Sequence, residues 1–88
     1  MKLRVSGVLL RFTDYRSVIE VDASTVEAAL HKLVDGHAML RKALFDREGR
    51  VRATHMVFLN GEQLAPDQLA HPAGPSDQVD LITAISGG

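Results

Sequence analysis

Alternating apolar residues open the chain and predict a strand over residues 2–10. Leu3 and Val5 alternate with polar positions, and the alternation slips at Gly7, which is typical of a strand that bulges or bends. A polar turn then leads to the segment RSVIEV, whose β-branched residues predict a second strand antiparallel to the first. This first part of the chain is therefore expected to form a hairpin.

The segment ASTVEAALHKLVDGHAML predicts the main helix. Ser24 and Glu27 have the spacing of a capping box, in which the hydroxyl accepts from the third helical amide and the carboxylate reaches back to the N-cap amide. Gly36 is placed to cap the other end. Apolar positions recur at helical spacing and predict one face that packs on a sheet. This stripe comprises Val26, Leu30, Leu33, Val34 and His37.

The segment AMLRKALFD adds a shorter predicted helix, followed by a polar excursion around Gly49. Its expected inward residues are Met39, Leu40, Leu44 and Phe45.

Further strands are predicted in the second half of the chain. Residues 56–59 read as a strand, and Asn60-Gly61 turns the chain into a short return over 62–64, because this dipeptide tolerates positive φ at both turn positions. All three prolines then lie in a loop with one expected helical turn at 67–69. Residues 78–85 predict the final strand, with Val79 and Leu81 on one face.

The predicted order is β-β-α-β-β with irregular insertions, an α+β arrangement in one domain spanning residues 1–88. A mixed sheet over one main helix, with the last strand parallel to the first, is the simplest way to bury the helical stripe. The apolar fraction of 45% and charged fraction of 24% are those of an ordinary globular protein.

Composition excludes several classes of chemistry. The chain has no cysteine, so it has no disulfides, thiolate metal sites, iron–sulfur clusters or cysteine nucleophile. A net charge of −1 with mixed signs gives no field to gather nucleic acid or anionic lipid. No segment approaches the roughly 18 apolar residues of a membrane span, and no signal peptide is recognisable. A cytoplasmic protein without nucleic-acid or membrane partners is expected.

The histidines and a basic run are candidates for a metal site and a nucleic-acid site, but their patterns do not favour either. The histidines do not form a metal-ligand pattern, because none are paired at i, i+4 and no acidic partner is placed beside them. They are His31, His37, His55 and His71. The basic run Arg47, Arg50 and Arg52 lacks interleaved aromatic residues and is interrupted by Glu48. It therefore predicts a solvated loop, with contact to an acidic partner enzyme left open.

The closing residues AISGG raise a different possibility. A backbone carboxylate is ionised at neutral pH and is a poor electrophile, so acyl chemistry at Gly88 needs activation by another enzyme. Glycine lacks Cβ and lets another backbone approach, so Ser86 and Gly87 suit a flexible segment that threads a narrow channel. Ordering it costs binding energy, which calls for a docking surface nearby. The candidate docking residues are Ile82, Ala84 and Ile85.

The segment FLNGE, the closing run DQVDLITAISGG, the capped helix after a hairpin and the length resemble the ThiS/MoaD family of ubiquitin-like sulfur carrier proteins. The resemblance implies the β-grasp fold. It also implies that an enzyme related to ubiquitin activators uses ATP to adenylate Gly88, which then becomes a thiocarboxylate. This group would donate sulfur in making molybdopterin, the thiamine thiazole, cysteine or natural products, and the carrier would bind no cofactor itself.

The same resemblance implies three kinds of partner: a ubiquitin-activator-like adenylyltransferase, a sulfurtransferase or sulfide as sulfur donor, and a sulfur-accepting synthase. Thr83 stands where many relatives have proline, and Ser86 replaces a common alanine, which bears on which enzyme accepts the tail. The long, charged stretch 41–52 resembles carriers of the cysteine-synthesis type.

The chain is expected to be a co-substrate of other enzymes. Two alternatives stay open: a ubiquitin-like modifier joined through Gly88 to lysines, and a non-covalent β-grasp binding module. The sulfur acceptor and the oligomeric state are also open.

Overall fold

The computed structural model describes residues 1–83, which form a sheet, two α-helices and two 3-10 helices. The strands are β1 (Lys2–Val5), β2 (Val18–Glu20), β3 (His55–Leu59), β4 (Glu62–Leu64) and β5 (Gln78–Thr83). The α-helices are α1 (Val26–Gly36) and α2 (Ala38–Leu44), and the 3-10 helices are Gly7–Phe12 and Pro66–Gln68. In these described residues each helix is too short or too polar to span a bilayer.

The sheet has the strand order β2-β1-β5-β3-β4. β5 lies at its centre, parallel to β1 with Val5 opposite Leu81, and antiparallel to β3 with Met56 opposite Ile82. The predicted mixed α+β sheet and its parallel pair of first and last strands are confirmed. The predicted order was one strand short, because the return 62–64 pairs with β3 as a strand of its own.

The core lies between α1 and one face of the sheet. All four apolar residues of the predicted stripe are buried, and His37 is half-buried at the end of the helix. The strands contribute alternate residues, as expected when every second side chain points to the same face. This inner face comprises Leu3, Val5, Val57, Leu59, Val79 and Leu81.

Helix α1 begins one residue later than the sequence predicted. Thr25 is the N-cap, and its Oγ1 accepts a hydrogen bond from the amide of Ala28 at 3.0 Å. The predicted box from Ser24 is wrong because tertiary contacts set this boundary: Thr25 is extended and bridges Pro72. At the other end Gly36 is the last helical residue and His37 the C-cap.

The first strand is shorter than predicted because Gly7 ends it. Its φ of +64° turns the chain into the 3-10 helix Gly7–Phe12, which buries Leu9 and leaves Val8 58% exposed. Glycine tolerates this positive φ without the clash that a Cβ would cause. The expected strand beyond Val5 was therefore wrong, although the break at Gly7 was recognised.

The shorter helix α2 agrees only in part with its predicted burial, whereas the predicted turn is confirmed. Leu40, Leu44 and Phe45 are buried as predicted, but Met39 is 66% exposed and its inward assignment was wrong. A seven-residue helix is too short for periodicity to separate its faces. Asn60-Gly61 makes the expected turn between β3 and β4, with φ values of +51° and +86°.

Candidate functional site

The segment predicted to be reactive follows β5 directly. Thr83 ends β5 and is the last residue that the structure describes. Five predicted site residues lie outside the described range: Ala84, Ile85, Ser86, Gly87 and Gly88. Their roles stay predictions, and the structure instead defines the surface from which this segment starts.

The outer face of the sheet is the candidate docking surface. Within residues 1–83 both α-helices contribute their buried apolar residues to the core on the inner face. Strand alternation places Met56 and Phe58 of β3 on the opposite side, because the buried Val57 and Leu59 lie on the inner face. Ile82, the one predicted docking residue that is described, lies there too at 37% exposure, paired with Met56. We call Met56, Phe58 and Ile82 the outer apolar patch.

Charged residues separate the outer apolar patch from the β2 edge. The Nε of Arg4 lies 3.4 Å from Oδ1 of Asp80, which also accepts from the side-chain amide of Gln78 at 3.4 Å. Beyond this pair Val18 of β2 is 50% exposed on the same face. The face therefore presents apolar area with an internal ion pair at its middle, a mixture common at transient protein interfaces.

A groove borders this face near the end of β5. The 3-10 helix Gly7–Phe12 contacts β5, and the hydroxyl of Ser6 donates to the carbonyl of Leu81 at 3.3 Å. The groove brings together residues from four segments of the chain: Ser6, Leu10, Ser17, Val18, Asp80 and Ile82. A partner that covers the outer apolar patch would also contact this groove, close to the end of β5.

The opposite end of β5 is held by a polar network. Asp77 accepts from the amide of Gly74 at 2.7 Å and from the side-chain amide of Asn60 at 2.9 Å. The Gly74 amide, followed by the Asn60 amide, holds the pKa of the Asp77 carboxyl below its usual range because both donors favour the ionised form. Asn60 in turn accepts from the amide of Gln78 at 2.9 Å. The start of β5 is thus tied to the β3–β4 turn.

The charged stretch 41–52 is ordered by its own hydrogen bonds. Asp46 Oδ1 accepts from the amides of Arg50 and Glu48 at 3.0 and 2.9 Å. The Arg50 amide is the main cause that lowers the pKa of Asp46, with the Glu48 amide and nearby guanidinium groups adding to it. Arg41 pairs with Asp35 at 2.7 Å. After α2 ends, the chain turns between Phe45 and Val51, and the cationic side chains of the predicted loop, Arg47, Arg50 and Arg52, are exposed.

The histidines lie apart from one another in the fold. His31 stacks on Phe45 with ring centroids 4.9 Å apart, and His71 donates from Nδ1 to the carbonyl of Pro72 at 2.8 Å. Across residues 1–83 no three histidine, aspartate or glutamate side chains gather in a group that could hold a metal ion. His55 is half-buried and contacts the end of β5, a position that sequence spacing did not reveal.

The sequence alone did not identify part of the candidate docking surface. Met56 and Phe58 were assigned to a strand without a face, and Val18 was treated only as a strand former. The sequence of β3 does carry a signal: Val57 and Leu59 alternate as inward residues, which places Met56 and Phe58 outward. The partners across the sheet depended on register, which only the tertiary structure supplies.

No protein-family model and no curated protein sequence matches the chain. Solved structures do match it. SAMP1 from Haloferax volcanii is 29% identical, with a TM-score of 0.83 and an alignment over 100% of this chain and 98% of that one. A chain of the Amycolatopsis orientalis BexX/CysO complex is 20% identical, with a TM-score of 0.82 over 99% and 98%. Mycobacterium tuberculosis CysO is 17% identical, with a TM-score of 0.82 over 96% and 98%.

The last two likenesses concern the fold, since their identities are low, whereas the first also extends to the sequence. All three align along nearly the whole of both chains, so the match is to small proteins of similar length. The chain therefore has the β-grasp fold, and its structural neighbours confirm the predicted resemblance to the ThiS/MoaD-type ubiquitin-like sulfur carriers.

Proposed function

We propose that this protein is a sulfur carrier whose Gly88 carboxylate is adenylated and then converted to a thiocarboxylate. One observation carries the proposal: the outer apolar patch spans β3 and the central strand β5, and Gly87-Gly88 follow within five residues of the end of β5. A docked partner would hold the body by this patch and receive the glycine end in its own active site. The similarity to ubiquitin-like carriers supports the same role.

The proposed chemistry takes place on the backbone. A carboxylate oxygen of Gly88 attacks the α-phosphorus of ATP, pyrophosphate leaves, and a mixed anhydride with AMP forms. Sulfide, either free or released from a sulfurtransferase persulfide by a thiol reductant that becomes a disulfide, then attacks the carbonyl carbon, and AMP leaves with one of the original oxygens. Activation is needed because a carboxylate by itself resists nucleophilic attack. ATP belongs to the activating enzyme, so this chain acts as its protein co-substrate.

The body supplies recognition in this proposal. Ordering a short peptide in an active site costs roughly 1 to 2 kcal/mol per residue, which contacts elsewhere must offset. The outer apolar patch offers such contacts to an adenylyltransferase and, in turn, to a sulfur-accepting synthase. The neighbour from Amycolatopsis orientalis was solved as a BexX/CysO complex, which supports partner binding by proteins of this fold.

A second candidate is a protein modifier that forms an isopeptide bond from Gly88 to a partner's lysine. It is favoured by a specific comparison, because a Haloferax volcanii structure that is 26% identical is the small archaeal modifier protein 1. Both roles begin with the same adenylation, so the same terminal group serves either outcome. A purely non-covalent binding module would need neither the adenylation nor a reactive terminal group.

Mass spectrometry of the protein from its native source separates these roles. A carrier is expected to show an intact mass ending at Gly88 together with a species about 16 Da heavier, since one oxygen is replaced by sulfur. A modifier gives branched peptides with a Gly-Gly remnant on lysine. An intact mass that extends past Gly88, or the unmodified mass alone in cells that are making the sulfur-containing product, would contradict the carrier role.

Deleting Gly88 tests the proposal in a second way. The variant is expected to lose adenylation completely, measured as ATP–pyrophosphate exchange with the adenylyltransferase of the same source. Its thermal unfolding should match that of the parent, because glycine has no side chain to bury. The deletion variant ends in the carboxylate of Gly87, one residue closer to β5, whereas the matched control Ser86→Ala changes the same segment but keeps its length. Sulfur transfer by the deletion variant would refute the proposed chemistry.

A further inference from the structure

His55 joins three elements at the end of β5. Its backbone lies in β3 directly opposite Thr83. Its Nε2 lies 2.7 Å from the carbonyl oxygen of Ala43, near the C-terminus of α2, and its Nδ1 lies 3.2 Å from Oγ1 of Thr83. The imidazole is half-buried, so both contacts are partly shielded from water. One side chain therefore connects α2 to the last described residue of the central strand.

The carbonyl of Ala43 is one of the four that a helix leaves without an internal partner at its C-terminus. Neighbouring carbonyls of α2 are satisfied in a similar way: Arg52 donates from Nε to Lys42 at 3.0 Å and from its amide to Leu44 at 2.8 Å. The segment that precedes β3 thus caps α2 and holds it against the sheet. His55 extends this cap as far as β5.

The hydrogen bonds assign roles to the two ring nitrogens. A carbonyl oxygen only accepts, so Nε2 carries a proton and donates to Ala43. In the neutral ring Nδ1 is then an acceptor, and the hydroxyl of Thr83 donates to it. The contact needs a hydroxyl at position 83, a requirement that strand pairing alone does not impose.

We propose that His55 and Thr83 act as a positioning clamp, in which the imidazole fixes the end of β5 and so the starting point of the segment that carries Gly88. This inference rests on the proposed reaction at Gly88. Neither residue contacts the reacting atoms, so both are positioning residues. The clamp acts where it is needed, because β1 pairs with β5 only as far as Leu81 and leaves Thr83 paired on the β3 side alone.

Position matters because the reach of the chain after Thr83 is short. Gly88 is five residues farther on (88 − 83), a fully extended length of about 17 Å. If Thr83 separates from His55, the activating enzyme must order at least one more residue to bring the carboxylate to the same place. The entropy cost of ordering one residue corresponds to a factor of roughly 5 to 30 in rate. This factor is the largest decrease in adenylation rate that loss of the clamp should cause.

Replacing Thr83 tests the clamp while preserving its shape. Thr83→Val keeps the branched side chain and removes the hydroxyl, Thr83→Ser keeps the hydroxyl, and Thr54→Val makes the matched change at an exposed site one residue before β3. Steady-state adenylation by the adenylyltransferase of the same source is measured for each. Thr83→Val is expected to lower kcat about fivefold, the value of one hydrogen bond, with KM unchanged because the outer apolar patch is intact. Thr83→Ser and Thr54→Val should match the parent.

A spectroscopic measurement tests the contact without the enzyme. The ¹⁵N shifts of the neutral His55 ring are expected to show a protonated Nε2 and an accepting Nδ1. Thr83→Val should move the Nδ1 signal and Thr83→Ser should restore it. A protonated Nδ1 in the neutral ring, or an Nδ1 signal unaffected by Thr83→Val, would disprove the contact.

The two proposals fail in different ways. If the parent is adenylated and Thr83→Val has the same kcat, the clamp is refuted while the proposed function stands. If Thr83→Val raises KM instead, position 83 belongs to the docking surface and the positioning role is wrong. If the parent is never adenylated, the proposed function fails, and a positioning role for that reaction fails with it.

Discussion

The two faces of β5 have opposite properties although they alternate along a single strand. Val79 and Leu81 point inward and are fully buried against α1 and the neighbouring strands. Asp80 and Ile82 point outward, where Asp80 pairs with Arg4 and Ile82 is partly exposed. Since side chains of a strand alternate between faces, one run of residues serves two purposes. The inner face holds the body together, and the outer face is available to partners.

This separation would let a small protein of this fold change its outer surface without losing its fold. A buried side chain touches many neighbours in a densely packed core, so its replacement is felt throughout the domain. An outward side chain contacts few neighbours within the chain, and its removal affects mainly whatever binds there. Substitutions on the inner face should therefore change mainly the free energy of unfolding, whereas substitutions on the outer face should change mainly partner binding.

Leu81→Ala should have the largest effect because it leaves a cavity in the core. We expect a loss of about 3 kcal/mol in the free energy of unfolding. For a domain of this size that corresponds to a fall in Tm of roughly 15 °C. Urea unfolding followed by circular dichroism measures the loss. Ile82→Ala is the matched control on the other face, and an equal loss for both variants would show that the faces do not differ as described.

Ile82→Asp should have the largest effect on partner binding. Placing a charge in the outer apolar patch is expected to raise the KM for adenylation by at least tenfold, since loss of a hot-spot contact at an interface centre costs about 2 kcal/mol or more. Met39→Asp is the control, because Met39 is also exposed but lies on α2. Unchanged KM in Ile82→Asp would remove the outer apolar patch from the docking surface.

Arg4→Ala sharpens the comparison by testing the ion pair on the outer face. The guanidinium is largely exposed and the pair is not tightly spaced, so we expect a stability loss below about 1 kcal/mol that shrinks as salt is added. Thermal unfolding at low and high ionic strength measures it. A loss as large as that of Leu81→Ala would mean that the outer face contributes to folding more than its exposure implies.

Asp77→Asn should have the smallest effect, a loss of stability that is present at neutral pH and disappears in acid. Because the pKa of Asp77 is lowered in the folded state, its ionised form stabilises the fold above the unfolded pKa of about 3.9, and this contribution is lost as the pH falls through the folded pKa. Stability measured from pH 7 downward should fall less steeply below about pH 4 in the variant than in the parent. Parallel curves for the two proteins would show that Asp77 titrates alike in the folded and unfolded states.

Local signals accounted for the elements that local physics specifies. The stripe of α1, the alternation of Val79 and Leu81 and the Asn60-Gly61 turn were all recognisable because each depends on neighbours a few residues apart. Boundaries were less predictable. The start of α1 moved to Thr25 through its bridge to Pro72, and β1 ended at Gly7 where the chain turned into a 3-10 helix.

The candidate site also contains residues that local sequence predicted and residues that only the tertiary structure revealed. Ile82 could be proposed from the sequence because it is an apolar residue at an outward position of the alternation set by Val79 and Leu81. Its neighbours could not, since Met56 and Phe58 join it only through the register of β3 against β5. The contact between His55 and Thr83 spans 28 residues of sequence and has no local pattern to mark it.

The sequence by itself determined the fold class, the single stripe that covers the sheet and the glycines proposed for chemistry, because these follow from periodicity and from residue types at consecutive positions. The tertiary structure alone decided which outward side chains meet on the sheet and what holds the end of its central strand. Those features arise from strand pairing and helix packing between distant parts of the chain, where a shift of one residue would turn every side chain to the other face.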